Sequence, residues 1–279
     1  MTSTAEQPLA SARDRALSKV PAVTLTFWII KILCTTLGET GGDTVTMTWL
    51  GETTAHPNPN GYLIGTLIFL SVLVALVVWQ IAAKKLHPFL YWATIIASTT
   101  AGTTMADFAD RSLGIGYAGG SSVLLACVLG CLALWYWTQG TVSVASVNTP
   151  KVEAFYWATI TFSQTLGTAL GDWIAAAPNE EPPGIGFGYE IGALIFGGAI
   201  VIVAALYFWT RISRVALFWA AFILTRPLGA TLGDLLDKPL SHGGLALSRP
   251  IASAVLAVFI ILCILIFPQR PAQQGTAHG

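Results

Sequence analysis

Hydrophobic positions gather into eight runs near residues 20–42, 61–82, 88–106, 116–137, 154–177, 187–209, 213–235 and 247–268. Each is close to the roughly 20 residues that a helix needs to cross a bilayer. The ten-residue alternating segments of an outer-membrane barrel are absent. The pattern predicts an all-α polytopic membrane protein with eight transmembrane helices.

The odd-numbered runs align with one another without a gap: FWIIKILCTTLGETGGD (27–43), YWATIIASTTAGTTMAD (91–107), YWATITFSQTLGTALGD (156–172) and FWAAFILTRPLGATLGD (218–234). Each opens on an aromatic residue and Trp (Trp28, Trp92, Trp157, Trp219). Gly follows ten residues on (Gly38, Gly102, Gly167, Gly229), and Asp five after that (Asp43, Asp107, Asp172, Asp234). The even runs open on glycine-rich text, GYLIG at 61, GIGYAGG at 114 and GIGFGYEIG at 184, with a departure to GGLALSRP at 243. Two spans therefore make one repeat. The expected units are 20–82, 83–137, 150–209 and 211–268, flanked by cytoplasmic tails 1–19 and 269–279. Because each unit crosses twice, all four point the same way. They are expected around a pseudo-fourfold axis along the membrane normal, unlike the inverted repeats of many transporters.

Positions seven, eight, eleven and fifteen after each Trp share one broad helix face. They form a polar stripe: Thr35, Thr36, Glu39 and Asp43; Thr99, Thr100, Thr103 and Asp107; Gln164, Thr165, Thr168 and Asp172; Arg226, Pro227, Ala230 and Asp234. Beside it run small residues four apart, Gly38 and Gly42, Gly102 and Ala106, Gly167 and Gly171, Gly229 and Gly233. Such pairs let helix backbones approach closely in lipid. The odd helices are expected at the centre with stripes inward, the even ones against lipid. Trp and Asp of one unit are about 22 Å apart along the axis, which places the four Trp as interfacial anchors at one surface and the four Asp near the other.

Only 10% of the 279 residues are charged and 54% are hydrophobic, against roughly 25% charged in a soluble domain. Fourteen basic and fourteen acidic residues balance, so no basic nucleic-acid footprint exists. Arg13, Arg15, Lys19, Lys84, Lys85, Lys151, Arg211, Arg214 and Arg270 fall on one side of the predicted spans, and only Arg111 and Lys238 on the other. The positive-inside rule then puts both termini in the cytoplasm. The polar opening residues and Lys31 within the first run argue against a cleavable signal peptide. Cys34, Cys127, Cys131 and Cys263 lie in apolar runs, and no disulfide or metal-ligand pair is expected of them. His56, His87, His242 and His278 are scattered. There is no nucleophile–base constellation, HExxH helix or phosphate loop, so no enzyme is predicted. No permanently bound cofactor is expected.

The fourfold Trp, Gly and Asp spacing, covering about residues 20–268, resembles a family of bacterial integral membrane proteins built from four tandem repeats of unknown function, each with two transmembrane segments and a tryptophan. The resemblance implies this architecture in a bacterial cytoplasmic membrane and implies no activity. GETGGDT (38–44) is similar to the acidic Glu-x-Gly-Asp motif of calcium and manganese cation/proton exchangers. It has one residue more between Glu and Asp, lacks the lysine that follows in that family, and occurs in one repeat.

Two readings of the four Asp stand side by side: solvated helix-end residues, or a cation site facing the bundle interior. Oxygen-only ligands, with Thr36, Thr100 and Thr165 beside Glu39, Asp43, Asp107, Asp172 and Asp234, suit hard ions such as Mn²⁺, Mg²⁺ or Ca²⁺. Lys31 either snorkels to the nearby interface or acts as a fixed charge on the path. Arg226, mid-membrane beside Pro227, is expected to pair with Glu39 or Glu190, or with a repeat Asp, or else to line a wet cavity, and with Lys31 to act as a fixed charge that prevents an open leak or couples protons. Glu190 and Arg249 are expected as a structural ion pair, with each other or with Arg226, or as a coupling relay. Glu52, Asp110, Glu180, Glu181 and Asp237 against Arg111 and Lys238 make a weakly negative outer vestibule. The leading expectation is a cation permease or exporter, its partners being the lipid bilayer and a small divalent cation as substrate. The alternative is a non-transporting scaffold or sensor that binds a lipid or protein. A continuous polar cavity from the Trp level to the Asp level would favour transport; a tightly interdigitated centre would favour the scaffold.

Overall fold

The computed structural model describes residues 17–273. Arg13, Arg15, most of the predicted tail 1–19 and residues 274–279 with His278 lie outside the described residues. Among the described residues are eight α-helices and no β-strand. They are α1 (Leu25–Asp43), α2 (Gly61–Ala82), α3 (Pro88–Asp107), α4 (Tyr117–Gln139), α5 (Pro150–Ala175), α6 (Gly188–Trp209), α7 (Arg214–Asp237) and α8 (Arg249–Ile266). Local chemistry sets their starts. Thr24, Thr149 and Ser213 accept a backbone N–H from the first turns of α1, α5 and α7. Pro88 and Pro150 stand at the first positions of α3 and α5, where a missing N–H costs nothing. Past Asp43 and Asp107, α1 and α3 widen into π-helical turns, Thr44–Trp49 and Phe108–Ser112.

Helices α2, α4, α6, α7 and α8 are long and apolar enough to cross a membrane. Exposed apolar residues cover α2, α4, α6 and α8, among them Leu67, Val123, Leu194 and Ile251, whereas α1, α3, α5 and α7 bury most of their polar residues. A surface of this kind is stable only against an apolar surrounding, and the molecule is a helical membrane protein.

The four polar helices form a closed cycle: α1 packs on α3 and α7, and α5 packs on the same two. The apolar helices lie outside it, shifted by one repeat. Helix α2 packs on α3, α4 on α5 and α6 on α7, and α8 returns to α1. The chain segments flanking the bundle close the cycle too, since Ala22 N donates to the Arg270 carbonyl at 2.7 Å and Ala272 N to the Val20 carbonyl at 2.8 Å.

The four repeat Trp do not stand as interfacial anchors. Trp92, Trp157 and Trp219 are at most 4% exposed and Trp28 is half-buried. They join Phe27, Tyr91, Trp135, Tyr156, Phe218 and Phe222 in one aromatic layer across the end of the inner bundle. Their burial follows from the segments laid over that end. Lys19 N donates to the Val147 carbonyl at 2.8 Å, and Ser18 Oγ to the Val144 carbonyl at 2.6 Å. Lys19 Nζ caps the C-terminal carbonyls of α2 (Gln80, Ile81 and Ala83) and pairs with Glu153 at 2.6 Å. Under this cover the Tyr91 and Tyr156 hydroxyls meet at 2.6 Å and Trp219 Nε1 donates to the Val142 carbonyl at 2.9 Å, while the buried Trp135 Nε1 has no hydrogen-bond partner among the described residues.

Candidate functional site at the Asp end of the inner bundle

The inner helices meet along an i, i+4 ridge, the commonest way for helices to interlock. Counted from each Trp, positions three, seven, eleven and fifteen of all four helices are at most 5% exposed. Level three holds Lys31, Ile95, Ile160 and Phe222. Level seven holds Thr35, Thr99, Gln164 and Arg226, level eleven Glu39, Thr103, Thr168 and Ala230, and level fifteen the four Asp. Residues at position eight do not face inward as freely. Thr36, Thr100 and Thr165 donate their hydroxyls to the carbonyls of Ile32, Ile96 and Thr161 on their own helices. An i−4 carbonyl is in reach of a helical Thr; Thr35 and Thr103 at positions seven and eleven likewise bond Ile32 and Thr99 of their own helices, and in addition reach the Thr225 and Gly38 carbonyls of neighbouring inner helices.

The small residues sit where the cycle needs them. A Cβ on Gly38 would overlap Thr99, one on Gly102 would fall 2.9 Å from Gln164 backbone, one on Gly167 would overlap Arg226, and one on Gly229 would overlap Thr35. Each position-ten glycine thus receives the position-seven residue of the next inner helix, and the series closes on itself. One turn further, Gly42 meets Thr103, Gly171 meets Ala230 and Gly233 meets Glu39.

Arg226 is fully buried at the crossing of these helices. Its Nη2 donates to Glu39 Oε2 at 2.8 Å, to Thr103 Oγ1 at 2.6 Å and to Thr168 Oγ1 at 2.5 Å; Nη1 reaches the Thr35 carbonyl at 3.4 Å. One guanidinium therefore ties α7 to α1, α3 and α5. Glu190 is exposed and apart from it. Arg249 pairs instead with Asp237, Nε to Oδ1 at 3.6 Å, so the expected Glu190–Arg249 pair is not formed. Lys31 does not snorkel: it is 0% exposed, 4.2 Å above the Phe222 ring centroid, and its Nζ has no hydrogen-bond partner among the described residues. Three turns of chain separate it from the end of α1, and the aromatic layer blocks the shorter way out.

At level fifteen two bases hold the four Asp in pairs. Arg111 bridges Asp107 (2.9 Å) and Asp172 (3.1 Å); Lys238 bridges Asp43 (2.5 Å) and Asp234 (3.1 Å). Both bases are four residues after an Asp, in DFADR (107–111) and DLLDK (234–238), where one helical turn brings the charges together. The same two motifs carry Asp110 and Asp237, which are buried. These four residues read in the sequence as loop charges; their signal was the Asp-x-x-Asp-base spacing shared by the second and fourth repeats. Burial lowers the affinity of Arg111 and Lys238 for their protons. The facing carboxylates, first Asp107 for Arg111 and first Asp234 for Lys238, more than offset this and hold both well above their ordinary range. Burial pushes the Asp110 carboxyl up to about 6, with Arg111 opposing.

Several acceptors at this end have neither a hydrogen bond nor an ion pair among the described residues: Asp43 Oδ1, Asp107 Oδ2, both oxygens of Asp110 and Asp237 Oδ2. One oxygen each from Glu39, Asp172 and Asp234 lies within 4.8 Å of the others, and so does one each from Asp43, Asp234 and Asp237. An open cavity of about 380 Å³ lies at this end, lined by Asp172 of the first group and by the bridging bases Arg111 and Lys238, with Tyr117 and Tyr189 among others. Each group offers carboxylate oxygens and no Cys or His, a donor chemistry of the kind that hard divalent cations take.

No curated protein and no solved structure matches the chain. A family model described as Repeat of Unknown Function (DUF347) matches it four times in tandem, over residues 26–85, 90–141, 155–213 and 217–270. These matches reach all eight described helices and contain each Trp-to-Asp segment of the cycle, and the chain belongs to the DUF347 repeat family.

Proposed function

We propose that the protein is a cation permease or exporter of a bacterial cytoplasmic membrane, with hard divalent ions such as Mn²⁺ as substrate. In this reading all eight helices cross the bilayer as four parallel two-helix repeats about a pseudo-fourfold axis, with both termini cytoplasmic. The closed cycle of α1, α3, α5 and α7 and the repeated glycine contacts support the axis. The meeting of residues 20–22 with 270–272 supports placing both ends on one side.

The observation that carries the cation reading is charge. At the Asp end the buried acids Glu39, Asp43, Asp107, Asp110, Asp172, Asp234 and Asp237 face the bases Arg111, Arg226, Lys238 and Arg249. Acids outnumber bases by three, and a divalent ion entering from the open cavity offsets much of that excess. Buried carboxylates without a counter-charge are otherwise costly. The outer vestibule is one half of a pathway. The other half is filled by Arg226, the Ile95–Ile160–Phe222 level and the aromatic layer. Passage therefore requires the inner helices to part, as in a carrier, and not an open pore.

That packed half favours a second reading: a scaffold or sensor that binds a cation, lipid or protein partner and moves nothing. Proteoliposome flux decides between the two. Mn²⁺ uptake by wild type, lost in Asp172→Asn or Asp107→Asn, is the expected result. Binding without flux moves the assignment to the sensor; neither flux nor binding for Mn²⁺, Mg²⁺ or Ca²⁺ overturns the cation reading.

A further inference from the structure

The four level-fifteen carboxylates are two unequal pairs. In one, Arg111 presents a planar fork, with one nitrogen to each Asp and its guanidinium 5.6 Å from the Tyr117 ring centroid. Such a group is pre-organised and holds its geometry. In the other, Lys238 presents a single charge on a flexible stem, between Asp43 and Asp234. A third acid, Asp237, joins only this second pair, bringing one oxygen within 4.8 Å of one from each of its neighbours.

These three carboxylates are short of positive charge. The Asp237 side chain is 0% exposed, and among the described residues its Oδ2 and the buried Asp43 Oδ1 have no partner. The nearest guanidinium nitrogen, Arg249 Nε, stands 3.6 Å from Asp237 Oδ1, beyond hydrogen-bond reach. Lys238 has room to move. It follows the last residue of α7 in extended backbone, and its side chain, 12% exposed, lines the open cavity.

We propose that Asp43, Asp234 and Asp237 form a divalent-cation site in which the Lys238 ammonium is the resident occupant, displaced into the cavity when a metal ion binds. The site rests on the cation reading above and narrows it to one of the two pairs. A metal ion supplies one positive charge more than the ammonium and accepts several oxygens at once, including those that Lys238 leaves without a donor. Arg111, locked between its two carboxylates, remains as the clasp of the opposite pair.

The test is Mn²⁺ binding to the purified full chain in detergent, read from the loss of the free-ion electron paramagnetic resonance signal. Lys238→Met removes the competitor and is expected to tighten Mn²⁺ binding by about tenfold or more. Lys238→Arg, which grips the carboxylates harder, is expected to weaken it. Asp237→Asn and the double variant Lys238→Met with Asp43→Asn are each expected to lose the tight binding. Should Lys238→Met melt below the wild type, Lys238→Gln takes its place in the same comparison. Wild-type binding that neither Lys238→Met nor Lys238→Gln tightens overturns the resident-lysine site while leaving the transport reading to its flux measurement. A gain that survives Asp43→Asn and Asp237→Asn overturns it as well, because the ion then binds elsewhere. No Mn²⁺ binding in wild type and Lys238 variants alike overturns the site, and the cation reading falls with it when flux and binding of Mn²⁺, Mg²⁺ and Ca²⁺ are absent as well.

Discussion

Arg226 on α7 and Glu39 on α1 pair at 2.8 Å with less than 4% of either side chain exposed. The pair lies one level below the Asp pairs and, through Thr103 and Thr168, engages all four inner helices. Removing one partner strands the other, a loss of about 3–5 kcal/mol for a buried pair. Arg226→Leu is expected to lower the thermal midpoint in detergent sharply, and Glu39→Gln added to it to recover part of the loss. An Arg226→Leu midpoint equal to that of the wild type would show that the guanidinium bears no structural weight.

Position-ten glycines are contact points, so adding one methyl group separates them from lipid-side glycines. Gly102→Ala drives a Cβ against Gln164 backbone and is expected to cost about 1–3 kcal/mol. Gly198→Ala meets nothing within 4 Å and is expected to be neutral or stabilising by up to about 1 kcal/mol. Unfolding curves of the two variants side by side check the contrast; equal shifts would contradict the glycine contacts.

Burial of the repeat tryptophans has an optical consequence. Trp49, Trp79, Trp137 and Trp209 are 62–84% exposed, whereas Trp92, Trp157 and Trp219 are at most 4% exposed. Single-Trp variants reconstituted with brominated lipids are expected to be quenched for Trp79, Trp137 and Trp209 and protected for the three buried residues. Strong quenching of Trp92 would restore the anchor reading.

Asp110 couples stability to pH. Its carboxyl titrates near 6 in the fold against 3.8 ordinarily, so the folded state holds a proton that the unfolded chain has released. The contribution of Asp110 to stability is fully present below about pH 4 and is lost as pH rises through 6. Asp110→Asn removes this penalty. It is expected to gain about 1 kcal/mol at pH 7.5, after allowance for solvent screening, with the gain fading as pH falls from 6 to 4. Melting curves across that range check it, and a pH-independent gain would assign the effect to packing.

The inner helices were legible because Trp, Gly and Asp recur at one spacing four times, and a glycine kept on a polar face marks a helix contact. The Trp residues misled because an aromatic residue at a span end suits an interface and a buried lid equally, and the segments 18–22 and 142–147 that bury them carry no periodic signal. Thr36 and Thr35 differ by one step of rotation, too little for pattern alone to say that both hydroxyls bond the Ile32 carbonyl while that of Thr35 also reaches the Thr225 carbonyl of α7. Arg111 and Lys238 were hidden by lying past the last apolar turn, although i, i+4 spacing joined them to Asp107 and Asp234. The displaced partnership of the outer helices also had a sequence cue. Only residues 83–87 join α2 to α3, and only 210–213 join α6 to α7, and short connections make antiparallel neighbours.

That displaced partnership imposes an order on biosynthesis. As the chain emerges from its amino end, α2, α4 and α6 each find the next polar helix as soon as it follows, but the outer flank of α1 has no cover until α8 arrives. The first repeat therefore waits for the last. A nascent chain halted after α7 leaves α1, which carries Lys31, Glu39 and Asp43, without α8 over its flank. Quality control that senses polar groups in lipid has a single late event to monitor, the docking of α8 and the meeting of residues 270–272 with residues 20–22.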